Sequence, residues 1–368
     1  MPIALDHLRR YAIARSLFKP TTLTRAIEKL GFVQADPIRA PARAQDLTLR
    51  HRVSGYRAGD LERLYPKLAV EEDFFVNYGF LPRSHHALMH PRKVMKSSPT
   101  RARRTAEVLD FVRERGAVHP REVDAYFSHG RVTNWFGGSS NASTQLLDHM
   151  HYRGLLRVAR RDGGTRVYIA REPALADMPL APVEAKALAQ SRMDALVDVI
   201  VRKYAPLPSG SLANLVNRLR FGAPQWAKER KAALARAKRR LPHTRIDGID
   251  WYWPAEERPQ SVRWRIDDEV RLLTPFDPVV WDRPRFEIFW NWIYRFEAYT
   301  PAAKRKLGYY ALPLLWHERV VGWGNLTVAD GRLNADFGYS DPKVPRDPVF
   351  RIALDAELDR VRTFLKRV

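Results

Sequence analysis

Residues 155–170, "LLRVARRDGGTRVYIA", alternate apolar and polar side chains on both sides of Asp162-Gly163-Gly164, which predicts a β-hairpin. Three segments with helical spacing precede this hairpin: "TAEVLDFVRERG", "HPREVDAYF" and "NASTQLLDHMHYRGLL". Pro120 in the second segment suits the first turn of a helix. Three helices followed by a hairpin form a winged helix, in which the third helix enters a DNA groove and the hairpin touches the backbone.

If this region is a winged helix, specific side chains are expected to contact DNA. We expect the third helix to present Thr144, Gln145 and His149 to DNA, and the wing to carry Arg160, Arg161 and Arg166. The alternative is a winged helix that serves only as a packing module.

Similar series of helical and strand-like segments occur on both sides of this region. Helical segments at 5–18 and 23–30 lead into the strand-like "FVQADPI", and a second set of helices ends in the strand pair "TRIDGIDWYWP". Aromatic-rich strands with turns at His317-Glu318-Arg319 and Asp330-Gly331 follow, and a helix closes the chain. We therefore expect an α+β protein with three tandem winged-helix units, 1–95, 96–175 and 183–258, and an antiparallel β-rich C-terminal domain, 259–368.

Charge is the strongest compositional signal. The chain has 63 Lys and Arg residues against 41 Asp and Glu residues, a net charge of +22. Such a chain attracts polyanions and gains free energy from counterion release on nucleic acid. With no cysteine and no long apolar run, it is expected to be a cytoplasmic, nucleoid-associated protein. The basic segment between Lys228 and Arg245 is either a nucleic-acid contact or a solvated face.

The sequence lacks the motifs that identify several classes of enzyme. The chain has no GxxxxGK[ST] phosphate loop, no GxGxxG after a strand and no HExxH metal helix. His85, His86 and His90 have poor spacing for one ion, so we expect neither a metal nor a cofactor. Carboxylates, amides and water remain. They suit hydrolysis of a bond whose leaving group is already good, such as the glycosidic bond of a cationic N7-alkylated purine.

Gln34 and Asp36, in "VQADPI", are the residues with the right chemistry. On a strand, residues two apart share a face, so the carboxylate could activate a water molecule that the amide holds. The alternative is that both are hydrogen-bonding cap residues near a helix end.

The sequence resembles the bacterial interstrand-crosslink DNA glycosylases, the YcaQ and AlkZ winged-helix family, and in particular its YcaQ-type branch. The resemblance rests on "VQADPIRAPARA" (33–44), "FLPRSHHAL" (80–88), "RGLLRVARRDGGTRVY" (153–168), "LLTPFDPVVWDRPR" (272–285) and "YRFEAYTPAAKRKLGYYALPLL" (294–315). It covers nearly the whole chain. One departure is Val76-Asn77, where YcaQ-type members commonly carry a His-Glu pair.

This resemblance implies a concave basic channel and monofunctional excision of alkylated purines from double-stranded DNA, including unhooking of crosslinked strands. The family's catalytic Gln and Asp fall on Gln34 and Asp36. The chain is expected to act as a monomer. The remaining DNA contacts are then expected from Arg39, Arg43, Arg50, Arg83, His85, Lys304 and Arg305. In "FDPVVWDR" we expect Asp277 and Arg283 to pair and hold a turn, with Trp281 in the core.

A second hypothesis retains the predicted winged helices but assigns no catalytic reaction to the protein. It describes a DNA-binding protein that recognises damage or regulates transcription, and it is motivated by the absent His-Glu pair. A regulator selects a DNA sequence, whereas a base-excising enzyme need not do so.

Overall fold

The computed structural model describes residues 2–92, 98–128, 130–133, 139–172 and 182–366. The chain forms two compact units, the first comprising Met1–Leu61, Val197–Val216 and Leu234–Val368, and the second Glu62–Leu196 and Asn217–Ala233. The predicted α+β class is confirmed, because helices accompany antiparallel strands and the C-terminal region carries an antiparallel sheet. Within the described ranges, no helix is long and apolar enough to cross a membrane.

The helices are α1 (Leu5–Ser16), α2 (Leu23–Leu30), α3 (Ala44–Leu49), α4 (Asp60–Leu64), α5 (Arg83–Met89), α6 (Pro99–Arg115), α7 (Pro120–Phe127), α8 (Ala142–Arg153), α9 (Pro182–Tyr204), α10 (Ser209–Gly222), α11 (Arg230–Arg240), α12 (Arg283–Trp290) and α13 (Pro348–Leu365). The strands are β1 (Val33–Gln34), β2 (Val70–Phe74), β3 (Tyr78–Pro82), β4 (Arg131–Thr133), β5 (Ser139–Asn141), β6 (Leu156–Asp162), β7 (Thr165–Ala170), β8 (Leu207–Pro208), β9 (His243–Ile246), β10 (Ile249–Tyr252), β11 (Val270–Leu272), β12 (Leu312–Trp316), β13 (Arg319–Ala329) and β14 (Arg332–Tyr339).

Two antiparallel sheets belong to the first unit. Strands β11, β12, β13 and β14 are joined in that order, and β10 lies between β8 and β9. The predicted turns are confirmed: His317 has φ 51°, and Asp330 and Gly331 have φ 50° and 72°. Positive φ at these positions gives a tight turn the twist that its flanking strands need.

Helix α1 connects two hydrophobic clusters of the first unit. Ile13 packs with Val280, Phe286 and residues of the C-terminal sheet, whereas Leu8 packs with Trp251 and the small sheet. Successive positions of α1 face different neighbours, so the helix is buried on more than one side. At the start of α2, Thr22 accepts a hydrogen bond from the backbone N–H of Arg25, and Gly31 ends the helix with φ 68°.

The second unit contains the three helices and the hairpin on which the winged-helix prediction is based. Helices α6, α7 and α8 are followed by β6 and β7, and Asp162 pairs with Thr165 across Gly163 and Gly164. Both glycines have positive φ, 58° and 89°, so the hairpin prediction is confirmed. The assignment of these elements to a winged helix, and the four predicted domains, remain predictions. Residues 134–138 lie outside the described residues.

Candidate active site

Gln34 and Asp36 lie where strand β1 gives way to a loop. The predicted strand "FVQADPI" is shorter than expected, since only Val33 and Gln34 are in strand conformation and Asp36 lies beyond them. Gln34 is buried, with 4% of its surface exposed, while Asp36 is half-buried. The backbone N–H of Asp36 donates to Gln45 Oε1 at 3.4 Å, and Asp36 Oδ1 accepts from the Ile38 N–H at 3.0 Å.

The carboxylate of Asp36 is held in a partly desolvated position. Burial raises the pKa of the Asp36 carboxyl above its usual value, and the Ile38 hydrogen bond opposes this rise. The pKa values of Tyr299 and Tyr310 are also raised, first by burial and then by the negative charge of Asp36. A carboxylate with a raised pKa is a better proton acceptor than one in open water.

The two tyrosines whose pKa values Asp36 raises belong to an aromatic cluster in the segment before β12. The ring of Phe296 makes edge contacts with Phe276, Tyr299 and Tyr310, with ring centres 5.3, 6.0 and 5.3 Å away. Tyr310 is buried, whereas Tyr299 is 79% exposed. The site therefore combines a proton acceptor with an accessible aromatic face.

The turn between β11 and α12 contacts Gln34. The indole Nε1 of Trp281 donates to Gln34 Oε1 at 2.8 Å. Trp281 is half-buried and its ring lies 5.1 Å from that of Tyr204. Trp281 is thus a neighbour of the candidate site, in addition to the core role that we expected for it.

The predicted pair of Asp277 and Arg283 is wrong. Asp277 instead forms a two-pronged ion pair with Arg52, whose two terminal nitrogens lie 2.8 and 3.0 Å from its carboxylate oxygens. Arg283 donates to the backbone carbonyls of Val280 and Pro275. Arg52 and Asp277 are both fully buried, and the planar guanidinium fork of Arg52 matches the two carboxylate oxygens of Asp277. Asp277 still holds the turn, but its partner is Arg52, which lies just after the C-terminal end of α3.

Lys203 is a buried base beside β1 that the sequence did not reveal. Its Nζ donates to the carbonyl of Phe32 and lies 5.1 Å from the centre of the Tyr204 ring. Burial and, to a lesser extent, the charge of Arg52 lower its pKa to about 7, against the opposing charge of Asp277. Lys203 therefore titrates near neutral pH while it anchors the strand that carries Gln34.

We expect the stability cost of Lys203 to depend on pH. Because the folded-state pKa of about 7 lies below the ordinary value of 10.5, the wild type becomes more stable relative to Lys203→Met as pH rises from 6 to 9. Thermal melting of both proteins across this range measures the difference. Lys304→Met, which removes an exposed lysine, serves as control. A difference between wild type and Lys203→Met that stays constant with pH would contradict the expectation.

The arginines after Gln34 are not equivalent. Arg39 is exposed and Arg43 is half-buried. The side chain of Arg50 is only 4% exposed; it donates to Glu357 at 2.5 Å and to the carbonyl of Leu272 at 3.0 Å. Arg50 is therefore committed to an internal ion pair, and we leave it out of the proposed DNA contacts.

Lys304 and Arg305 lie between Tyr299 and Tyr310 along the chain, and their side chains have different surroundings. Lys304 is exposed, and its side chain makes no hydrogen bond or ion pair with a described residue, whereas its backbone N–H donates to the Pro301 carbonyl at 2.9 Å. Arg305 donates to the carbonyl of Thr300 at 2.8 Å and stacks 5.0 Å from the Tyr309 ring centre. Arg305 thus shapes the loop, while Lys304 presents a charge to solvent.

In the second unit, α5 carries Arg83 and His85. Arg83 is half exposed and donates to Glu71 at 2.9 Å, and His85 is half-buried. The histidines that approach a common partner are His86 and His90, whose Nε2 atoms lie 3.1 and 2.8 Å from Asp73 Oδ2. Sequence spacing missed this group because Asp73 comes from strand β2, upstream of both histidines.

Hydrogen bonds account for the Asp73 group without a metal. Arg92 donates to the other oxygen of Asp73 at 2.8 Å, and together with the histidines it keeps the pKa of Asp73 well below its usual value despite burial. Burial lowers the pKa of His90 to about 3, so its ring is neutral and its Nε2–H donates to Asp73. We propose no metal at this group.

The side chains predicted to face DNA on α8 and the wing are partly engaged elsewhere. Thr144 is half-buried and Gln145 is exposed at the start of α8. The three arginines predicted to lie on a wing each contact an acid: Arg160 donates to Asp162 at 3.0 Å, Arg161 to Glu72 at 2.9 Å and Arg166 to Asp148 at 2.9 Å. Arg160 is the most exposed of the three, with 47% of its side chain accessible.

A large basic cleft in the first unit lies apart from Gln34 and Asp36. Its volume is about 1330 Å³, and neither residue lines it. Lys19, Lys29 and Arg265 line it together with Phe18 and Trp264, and Arg50 lies in its wall. This cleft is therefore not the candidate active site.

Comparisons with known proteins give one assignment over most of the chain. A family model described as "DNA glycosylase AlkZ-like" matches residues 27–364. Among solved structures, the chain is similar to Streptomyces sahachiroi DNA glycosylase AlkZ, with a TM-score of 0.61 and 16% sequence identity, over 100% of this chain and 99% of that one. At this identity, the structural likeness supports the fold alone. The matched range includes Gln34, Asp36 and Trp281.

Proposed function

Since the chain belongs to the AlkZ-like DNA glycosylase family, and is therefore a DNA glycosylase acting on DNA, we propose that it hydrolyses the N-glycosidic bond of N7-alkylated purines. The half-buried carboxylate of Asp36, two residues after the anchored amide of Gln34, is the observation that supports this proposal most. The family assignment favours this enzyme over the non-catalytic regulator that the sequence left open.

The proposed reaction uses only water and this chain's own side chains. A water molecule held by Gln34 attacks C1′ of the damaged nucleotide and gives a proton to Asp36. The C1′–N9 bond breaks, and its electron pair neutralises the positive charge that alkylation placed on the purine. The products are a free base and an intact strand with an abasic site. In the oxocarbenium-like transition state, the Asp36 carboxylate also stabilises the positive charge on the sugar.

The aromatic cluster suits recognition of a cationic base. A ring that carries positive charge is attracted to the face of an aromatic side chain. We propose that the base stacks on Tyr299, which is 79% exposed and is supported from behind by Phe296. The same chemistry extends to crosslinks, because a purine tethered through N7 to the opposite strand carries the same charge. Unhooking of interstrand crosslinks is therefore part of the proposal.

Contacts to the DNA backbone are proposed for cations that the structure leaves accessible. Within the first unit these are Arg39, Arg43 and Lys304, and within the second unit Arg83 and Arg160, with Thr144, Gln145 and His85 as polar contacts. We propose that the protein acts as a monomer on the nucleoid. Backbone contacts of this kind make affinity fall steeply with salt and carry little sequence preference.

Wild-type protein is expected to release N7-methylguanine from duplex DNA well above the spontaneous depurination rate. Strand breaks are expected only after alkali, because the proposed reaction ends at an abasic site. Since Asp36 must be ionised and its pKa is raised, the rate is expected to fall on acidification at a higher pH than for an aspartate with an unshifted pKa. The measurement is free-base release and gel cleavage, with and without alkali, across pH. Release at the spontaneous rate for a panel of N7 adducts and an N7-tethered crosslink would refute the proposed function.

A further inference from the structure

The indole of Trp281 selects which end of the Gln34 amide is available to substrate. Its Nε1 donates to Gln34 Oε1 at 2.8 Å. An indole nitrogen can only donate, so this contact identifies the carbonyl end of the amide and fixes the position of the NH₂ group. Gln34 is 4% exposed, and bulk water therefore competes little for this oxygen.

Trp281 is itself held by the turn between β11 and α12. Its backbone N–H donates to the carbonyl of Asp277 at 2.8 Å, and the carboxylate of Asp277 is fixed by Arg52. On the next residue, the Asp282 side chain accepts from the Arg285 N–H and caps α12. The indole is thus set in place by a buried ion pair and a helix cap before any substrate arrives, as preorganised sites require.

We propose that Trp281 is a positioning residue of the glycosylase reaction, which acts by turning the Gln34 amide so that its NH₂ group faces the attacking water. The inference rests on the proposed function. With Oε1 engaged, Nε2 donates to the water oxygen. The water then gives its proton to Asp36 and keeps one lone pair for C1′. An amide turned the other way would present a second acceptor and compete with Asp36 for the water's hydrogens.

Trp281→Phe removes the indole N–H and keeps an aromatic ring. We expect the single-turnover excision rate of N7-methylguanine at saturating protein to fall about tenfold, the effect of one lost hydrogen bond that orients a reacting group. The dissociation constant for the same DNA is expected to stay within about twofold. Trp316→Phe is the matched control, because its indole N–H has no hydrogen-bond partner in the part of the chain that the structure describes.

A spectroscopic measurement tests the contact separately from the chemistry. Among the indole N–H signals of the ten tryptophans, the one that disappears in Trp281→Phe is expected to shift upfield in Gln34→Ala. A shift of that signal together with the tenfold rate loss supports the proposal. An unmoved signal, or a wild-type excision rate in Trp281→Phe, overturns it. A wild-type protein that excises nothing instead refutes the proposed function, whatever the signal does.

Discussion

Asp36→Asn is expected to reduce the excision of N7-methylguanine at least about a hundredfold, the usual contribution of a positioned proton acceptor. The substitution keeps the shape of the side chain and the acceptor for the Ile38 N–H, but it removes the group that takes the proton from water. It also removes the negative charge that stabilises the cationic sugar. The rate is measured in single turnover, with protein in excess over DNA.

Binding and stability separate a chemical role of Asp36 from a structural one. DNA affinity is expected to stay within about twofold. Thermal stability at neutral pH is expected to stay level or rise by at most about 2 °C, because burial disfavours the ionised carboxyl that the substitution removes. Asp268→Asn, at a carboxylate that is 87% exposed, is the matched control and should excise normally. Parallel losses of affinity, stability and rate in Asp36→Asn would show that Asp36 has a structural role instead of a chemical one.

Asp277→Asn is expected to cost about 3–5 kcal/mol of folding free energy, because it leaves the buried guanidinium of Arg52 without its counter-charge. Excision is expected to fall as well in the protein that remains folded. The substitution weakens the turn that presents Trp281 to Gln34. Urea unfolding at constant pH measures the stability, and single-turnover excision measures the rate.

An exposed ion pair provides the comparison for this prediction. Asp359 and Arg362 lie 2.6 Å apart on α13, with their side chains 73% and 52% exposed. Asp359→Asn is expected to change the free energy of unfolding by less than about 1 kcal/mol, as is usual for surface pairs. If Asp277→Asn were as mild as Asp359→Asn, the buried pair would not be what holds the turn.

Local features of the fold were predictable from sequence. The Gly163-Gly164 and Asp330-Gly331 turns and Pro120 in the first turn of α7 each depend on a few neighbouring residues, and each is confirmed. Turn and cap chemistry acts over one to four residues, so the pattern is visible along the chain.

Long-range contacts were not predictable in the same way. Trp281 meets Gln34 across 247 positions, and Arg52 meets Asp277 across 225. The sequence instead suggested Arg283 as the partner of Asp277 and a phosphate as the partner of Arg50, because nearby charges were the only information. Arg50 pairs with Glu357, which is 307 positions away. Gln34 and Asp36 were predicted as the catalytic pair because their chemistry and a family motif coincided, whereas nothing along the chain marked Lys203 or Trp281 as their neighbours.

The central claim is that one water molecule is shared by Gln34 and Asp36 beside the damaged sugar. A crystal structure with duplex DNA that carries a 2′-fluoro N7-methylguanine nucleotide, in which fluorine slows cleavage, tests this directly. We predict an ordered water within about 3.2 Å of both Gln34 Nε2 and an Asp36 carboxylate oxygen, on the face of C1′ opposite the base. A sugar bound away from both side chains, or a water held by other groups, would contradict the account.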